Sequence, residues 1–497
     1  VPPGARSARD ALDAVVVGSG PNGLAAAVVL ARAGLRVEVL EGADRVGGGL
    51  RTAPLVRDDV RHDLCSAAHP LAMASRFFTE WGLADRVDLL DPAVPFAHAL
   101  DGGRFAVAHR SLAATLDRLA ETSPAGAAAY RDLLGPFVEH AGALAAIATS
   151  RLRGLPAGRD AVVTAARLSR HLLGGPRRAW PGAAGAEASA LVAGNMAHAV
   201  RPLDGWAPAV VGLLLTSLAH AGGWPVPRGG SGAIAEALVA DVVAYGGRVR
   251  TGCWVRRWAD LPPSRAVLLD LDPRQVVDLA GDRMAGAAGR WYRAWARRYR
   301  FGPGSCTVHY VTSAPVPWLD PQARRAGTVH VGGAAAEVAA AEVAVAAGRH
   351  ARRPFTLVGQ PTAVDPSRAP AGVHVVWAYC HVPHGSAVDA APAVTAQIER
   401  FAPGFRDTVL ARHVRTAADL ARENPLHVGG DIAVGAASVL GIATRPVPRW
   451  DAYRTPAPGV YVCSSATPPG PGVHGMSGYW AAREVLRDLG ARPGPLS

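Results

Sequence analysis

Near the start of the chain, Gly18-Ser19-Gly20-Pro21-Asn22-Gly23 has the makeup of a turn that carries bare backbone up to an anion. One glycine permits the tight turn, one lets main chain approach a pyrophosphate, and one brings a helix against the preceding strand. Twenty-three residues after Gly18 stands Glu41, a carboxylate able to accept hydrogen bonds from ribose hydroxyls. Directly behind it, Glu41-Gly42-Ala43-Asp44-Arg45-Val46-Gly47-Gly48-Gly49, followed by Arg51, supplies basic residues and a second glycine run. Far along the chain, Pro469-Gly470-Pro471-Gly472-Val473-His474-Gly475-Met476 sets a histidine among glycines and prolines. His474 is the first candidate for a catalytic base, and a local hydrogen-bond partner is its equally weighted reading. His381 and His384, at the end of an apolar run, and Asp431, in Gly429-Gly430-Asp431, read as turn-holding residues. Tyr479 and Trp480 read as packing aromatics, with the wall of a redox ring as the other option.

The elements that would position these residues follow from periodicity. An apolar run over 14–17 predicts a strand, the Ala/Leu/Val segment to 33 a buried helix ended by Gly34, and 36–40 a second strand. Together they make the opening of a βαβ unit that binds a dinucleotide. Residues 77–221 read as mostly helical, with amphipathic stretches at 111–120 and 127–148, and so as a helical insertion. A helix over 233–244, a strand over 248–255 and an apolar strand over 266–271 return the chain to the first sheet. Strands are expected at 306–311, 355–358 and 374–378, with a helix over 334–347. A strand over 459–464 and a helix over 477–489 close the chain. The expected fold class is α/β. A discontinuous Rossmann-like cofactor domain (1–76, 222–275 and 441–497) is joined to a mixed α+β substrate domain (77–221 and 276–440).

Three separated segments, 15–52, 225–255 and 460–489, resemble the FAD-binding signature of the phytoene desaturase and amine oxidase superfamily, and within it the phytoene dehydrogenase-related flavoproteins. The resemblance implies FAD as cofactor. It places Gly18, Gly20, Pro21, Asn22, Gly23, Glu41, Gly42, Arg45, Gly47, Gly48, Gly49 and Arg51 along its ADP half. It also brings backbone near Val255 to the adenine side, and Gly472, Val473, His474, Gly475 and Met476 toward the flavin ring. A helix N-terminus there would favour negative charge on a reduced ring. Two departures stand out: Pro471 replaces a small, flexible residue, and the short interval between Val255 and the strand over 266–271 implies a trimmed cofactor domain. The activity implied is a dehydrogenase or desaturase passing hydride from a lipophilic small molecule to flavin. The alternatives are an oxidase of the amine-oxidase type, and an isomerase or structural use of flavin without net redox turnover. NAD in place of FAD is a further alternative.

Composition limits other classes. The chain has 497 residues, 49% of them hydrophobic, and its 52 basic residues are all arginine, for a formal charge of +12. Without lysine it can form no lysine Schiff base, and it lacks the flavin-side lysine of many amine oxidases. The arginines are scattered, with pairs such as Arg177-Arg178 and Arg352-Arg353, and no nucleic-acid motif accompanies them, so no nucleic-acid partner is expected. A peripheral bilayer contact is compatible with an apolar substrate. Five dispersed cysteines without a C-x-x-C pair point to reduced thiols and no metal. With no apolar stretch in residues 1–10, the expectation is a cytoplasmic protein.

Overall fold

The computed structural model describes residues 12–151, 154, 158–173, 175, 185–436 and 444–497. Residues 1–10 and the Arg177-Arg178 pair lie outside them. Five strands build one parallel sheet: β1 (Leu12–Val17), β2 (Val37–Leu40), β3 (Arg248–Arg250), β4 (Ser264–Leu269) and β5 (Val460–Val462), in the spatial order β5-β4-β1-β2-β3. Both faces are covered, which explains why β1 reads as a continuous apolar run over 14–17. Ala14 and Val16 pack under helices α1 (Pro21–Arg32), α2 (Gly232–Ala244) and α5 (Met476–Asp488). Val15 and Val17 face α3 (Pro273–Ala280) and α4 (Gly286–Arg297) on the other side.

Proline at its first position starts α1, and Gly34, at φ +79°, leaves it in the left-handed conformation glycine adopts readily. Helix α5 crosses α1 so closely that a Cβ at Gly478 would sit 1.8 Å from the carbonyl oxygen of Asn22. A residue near the C-terminus thereby fixes the last helix to the N-terminal glycine turn.

The second sheet has seven strands, in the order Val409–Arg415, Gly304–Thr312, His374–Val382, Thr356–Gly359, Ala326–Val331, Val94–Leu100 and Arg104–Ala108. All neighbours are antiparallel except Ala326–Val331 with Val94–Leu100. Helices Leu112–Thr122, Pro124–Glu139, Ala186–Ala197 and Trp206–Ala221 pack on the face carrying Phe96 and Ala106, and Ala391–Phe401 packs on the opposite face.

Two expectations need correction. The mostly helical segment 77–221 contains the hairpin Val94–Leu100/Arg104–Ala108, which sits at one edge of the second sheet. Its turn is Asp101-Gly102-Gly103, with φ of +76° and +73° at the glycines, and the alanine-rich helices after it masked that local turn signal. The strand expected over 248–255 stops at Arg250. Beyond it Gly252 and Cys253 donate their N–H groups to Ala43 O and Glu41 O, so the chain leaves the sheet to run beside the loop after β2.

A buried cation ties together three segments distant in sequence. Arg368 has no solvent exposure, and its guanidinium meets Asp63 and Asp365, each at 2.9 Å, and Pro227 O at 3.2 Å. Asp63 also accepts from Thr52 Oγ1 and the Ser231 N–H. Segments far apart in sequence thus share one hydrogen-bonded charge network.

Candidate functional site: two cavities that share a wall

A cavity of about 370 Å³ opens at the carboxyl ends of β1, β2 and β4, where ligands bind in open parallel sheets. Gly18, Gly20, Pro21, Asn22, Glu41, Gly42, Arg45, Gly48, Gly49, Arg51, Val255, Gly472 and Val473 all line it. Gly23, Gly47, His474, Gly475 and Met476 stand behind the lining and shape it. A Cβ at Gly23 would fall 2.2 Å from Gly18 O, so only glycine lets the helix close on the turn. Gly47 donates to Ser19 O at 3.0 Å, and a Cβ at Gly48 would lie 3.0 Å from the Gly20 Cα. The two glycine runs therefore meet as bare backbone. No side chain caps α1 at Gly20, and Asn22 Oδ1 is buried without a partner.

Glu41 accepts from Ser19 N at 2.8 Å and Ser19 Oγ at 2.5 Å through one oxygen, and from Ala43 N at 2.9 Å through the other. A carboxylate has about four lone-pair sites, so acceptor capacity remains for ribose hydroxyls. Trp254, half exposed, lies over Gly42, where a Cβ would come within 2.7 Å of the indole, and beside Val255 it walls the far end of the channel. These features fit a dinucleotide: a bare-backbone cradle, an open helix N-terminus, an acid at the second strand and arginines at the rim.

Asp270, just past β4, was not among the sequence candidates, although it ends an apolar strand parallel to β1. Its Oδ2 accepts from the Gly23 N–H at 3.2 Å, and a Cβ at Gly20 would approach it to 2.6 Å. Burial, with Glu41 nearby, pushes its carboxyl up to about 7 despite hydrogen bonds from Gly23 and Gly20. A carboxyl that is partly protonated near neutral pH repels a pyrophosphate less than a full carboxylate would. Cys65 and Ser66, which line the channel, also escaped sequence reading, since no local pattern marks them.

The loop before α5 is held by its histidine. His474 is buried; its Nε2 lies 3.0 Å from Gly470 O, and its Nδ1 accepts from the Met476 N–H at 3.0 Å. Burial lowers its pKa to about 4. With both ring nitrogens engaged inside the loop, this arrangement gives His474 the local hydrogen-bonding role and leaves no nitrogen for a base. Asp431 accepts from the N–H groups of Gly302, Ala433 and Gly435 and so holds its turn. His381 pairs with Glu342 at 2.8 Å, and His384 Nδ1 meets Gly302 O at the same distance. Tyr479 packs near Phe77, and Trp480 Nε1 donates to Thr149 O; neither lines the channel.

A second cavity, of about 320 Å³, shares Cys65, Ser66, Ile432, Gly472 and Val473 with the first. Its remaining wall is largely apolar: Leu71, Val200, Val211, Leu214, Leu215, Trp224, Leu357, Trp377 and Pro471 among others. The proline that departs from the flavoprotein pattern thus belongs to this second chamber. Among the described residues no cluster of metal-ligating side chains occurs, and no helix is long and apolar enough to cross a membrane.

Residues 16–81 match the family model of an NAD(P)-binding Rossmann-like domain. The chain is 39% identical over 154 residues to the rat pyridine nucleotide-disulfide oxidoreductase domain-containing protein 2, a match covering 29% of this chain and 26% of that protein. The match thus spans about a quarter of the length of that curated relative. Across the whole chain the likeness is to solved structures. An oxidoreductase from Methanosarcina mazei superposes with TM-score 0.59 at 15% identity, covering 96% of this chain and all of that one. Cyclohexylamine oxidase from Brevibacterium oxydans superposes with TM-score 0.55 at 13% identity, covering 97% of this chain and 100% of its own. At these identities the shared property is the fold, which is the flavin amine-oxidase type: a Rossmann-like domain with a parallel sheet beside a separate mixed sheet.

Proposed function

We propose that the protein is an FAD-dependent oxidoreductase that takes hydride from a largely apolar small molecule. The observation that carries this reading is the shared wall: a glycine-lined, dinucleotide-shaped channel meets an apolar chamber at Cys65, Ser66, Ile432, Gly472 and Val473. When bound, FAD supplies the hydride acceptor, and the protein supplies position, dryness and charge control. The turn at 18–23 and the glycines at 47–49 would hold the pyrophosphate, Glu41 the ribose, and Val255 with Trp254 the adenine side. The loop at 472–476, fixed by His474, would face the ring, and the apolar chamber would exclude water around the substrate.

The narrower assignment, to the phytoene dehydrogenase-related flavoproteins, rests on the three sequence segments and on the apolar character of the chamber. An amine oxidase is the second reading, favoured by fold neighbours such as cyclohexylamine oxidase. Against it, the chamber has no Asp or Glu in its wall among the described residues to receive an ammonium, and the chain has no lysine.

The test is the visible spectrum of the purified protein, with release and identification of any chromophore. Flavin absorption with FAD released is expected, followed by anaerobic bleaching on addition of a substrate. A colourless protein that also fails to take up FAD on reconstitution would overturn the reading; a flavin that never bleaches with any substrate favours use without net redox turnover.

A further inference from the structure

The polar side chains of the apolar chamber can be accounted for one by one. Trp224 Nε1 donates to Thr328 Oγ1 at 3.0 Å. Gln360 is fully engaged, accepting from Trp318 Nε1 and donating to Ala323 O and Ala326 O. His69 Nε2 meets Ser231 Oγ at 2.8 Å, and its Nδ1 faces Ser66 Oγ at 3.5 Å. Among the described residues two groups of the wall are left over. The Tyr379 hydroxyl has no hydrogen-bond partner, yet it is absent from the fully sealed polar atoms, so it keeps access to the chamber. His198 meets His330 through Nε2 at 3.2 Å, which leaves its Nδ1. Beside Tyr379, with ring centroids 5.3 Å apart, the Trp377 indole N–H is sealed from the chamber, so Tyr379 is the one of the two whose donor a ligand can reach.

Among the described residues the same wall contains no Asp, Glu or Arg. Burial pushes the Tyr379 phenol up and His198 down to about 4, so both stay neutral across the physiological range. An ammonium or carboxylate entering the chamber would lose its hydration without gaining a counter-charge. A pure hydrocarbon would leave the donors unpaired, a cost a site avoids only with a matching acceptor.

We infer that the chamber takes a neutral lipophilic molecule carrying one oxygen acceptor, a ketone or hydroxyl oxygen, with the Tyr379 hydroxyl as its donor and His198 as the second polar contact. The inference rests on the reading of this chamber as the substrate site. It is independent of the electron acceptor and names a preference that an apolar wall alone would not create.

The test compares four probes of one chain length, decane, 2-decanone, decylamine and decanoate, by quenching of tryptophan fluorescence, since Trp224 and Trp377 line the chamber. Full-length protein is used with its flavin content recorded. The ketone is expected to bind about tenfold more tightly than the alkane, with amine and acid weaker than the ketone. Tyr379→Phe should cut the ketone's advantage to about threefold or less while leaving decane binding unchanged. His198→Leu serves as the second variant should the first fail to fold, and the wild-type ranking stands without either. Equal binding of alkane and ketone, tighter binding of amine or acid, or a ketone preference that survives both substitutions would overturn the inference. Ketone preference in a protein that never holds FAD would overturn the flavin reading alone. Flavin-replete protein that binds none of the four probes would overturn the inference alone.

Discussion

The channel and the chamber meet at one wall but are built in opposite ways. The channel is mostly backbone: Gly18, Gly20, Gly48 and Gly49 present main chain, and its specificity lies in N–H groups and two carboxyls. The chamber is mostly side chain, gathered from residues 65–71, 198–226, 327–379, 432–433 and 471–473. A backbone site depends on a few glycines having no Cβ, and so tolerates almost no change at them. A side-chain site depends on summed volume and on a handful of polar atoms, and so is open to retuning. One fold thereby keeps a fixed backbone channel next to an adaptable side-chain chamber.

The largest effect should come from breaking the buried network that reaches the shared wall through Ser231, whose N–H donates to Asp63 and whose Oγ donates to Ser66 O. Arg368→Ala would leave Asp63 and Asp365 buried without their cation and should cost about 3–5 kcal/mol of stability by denaturant unfolding. Flavin and probe binding would then be lost together; loss of one alone would show that the network does not couple the two sites. Next, Gly23→Ala forces a methyl onto Gly18 O and should cost about 1–3 kcal/mol, with flavin content falling while chamber probes still bind. Unchanged flavin content in that variant would argue against a backbone-defined cradle.

Asp270→Asn sharpens the channel side through pH. The Asp270 carboxyl, at about 7, is held above its usual 3.8, so as pH rises the unfolded chain loses its proton first. Stability therefore falls between about pH 4 and 7, and the penalty is complete above that range. The asparagine variant should lack this slope, so that its stability relative to the wild type rises by roughly 4 kcal/mol between pH 4 and pH 8. Identical pH profiles in urea titrations would refute the assignment. On the chamber side, Leu215→Phe adds volume and should weaken probe binding about tenfold without changing flavin content.

The smallest effect is expected behind the shared wall, at the histidine that holds the loop of Gly472 and Val473. His474→Gln should preserve part of the loop's hydrogen bonding and lower turnover by about tenfold or less, whereas removal of a general base lowers it by about 10²–10⁴. Steady-state rates on any substrate that bleaches the flavin would decide between the two.

Much of the channel was legible because its signals are local. The glycine turn, the acid after β2 and the helix between them lie within residues 18–41, and the chemistry of each residue implies its place. Asp270 was not legible, since an acid after an apolar strand means nothing until β4 is seen to pair with β1. The hairpin at Val94–Ala108 was hidden because its strands, buried at nearly every position, lack the alternation that separates strand from buried helix. His474 could be picked from sequence as a polar residue in a loop, but only its contacts with Gly470 O and Met476 N tell what it holds.

By itself, then, the sequence determined the glycine-lined turn and the parallel strands under it, because short-range turn geometry and largely apolar strands leave few alternatives. Tertiary structure alone decided the chamber, the Arg368 network and the raised pKa of Asp270. Each of these depends on which distant side chains are driven out of water together, and burial of that kind has no signature along the chain.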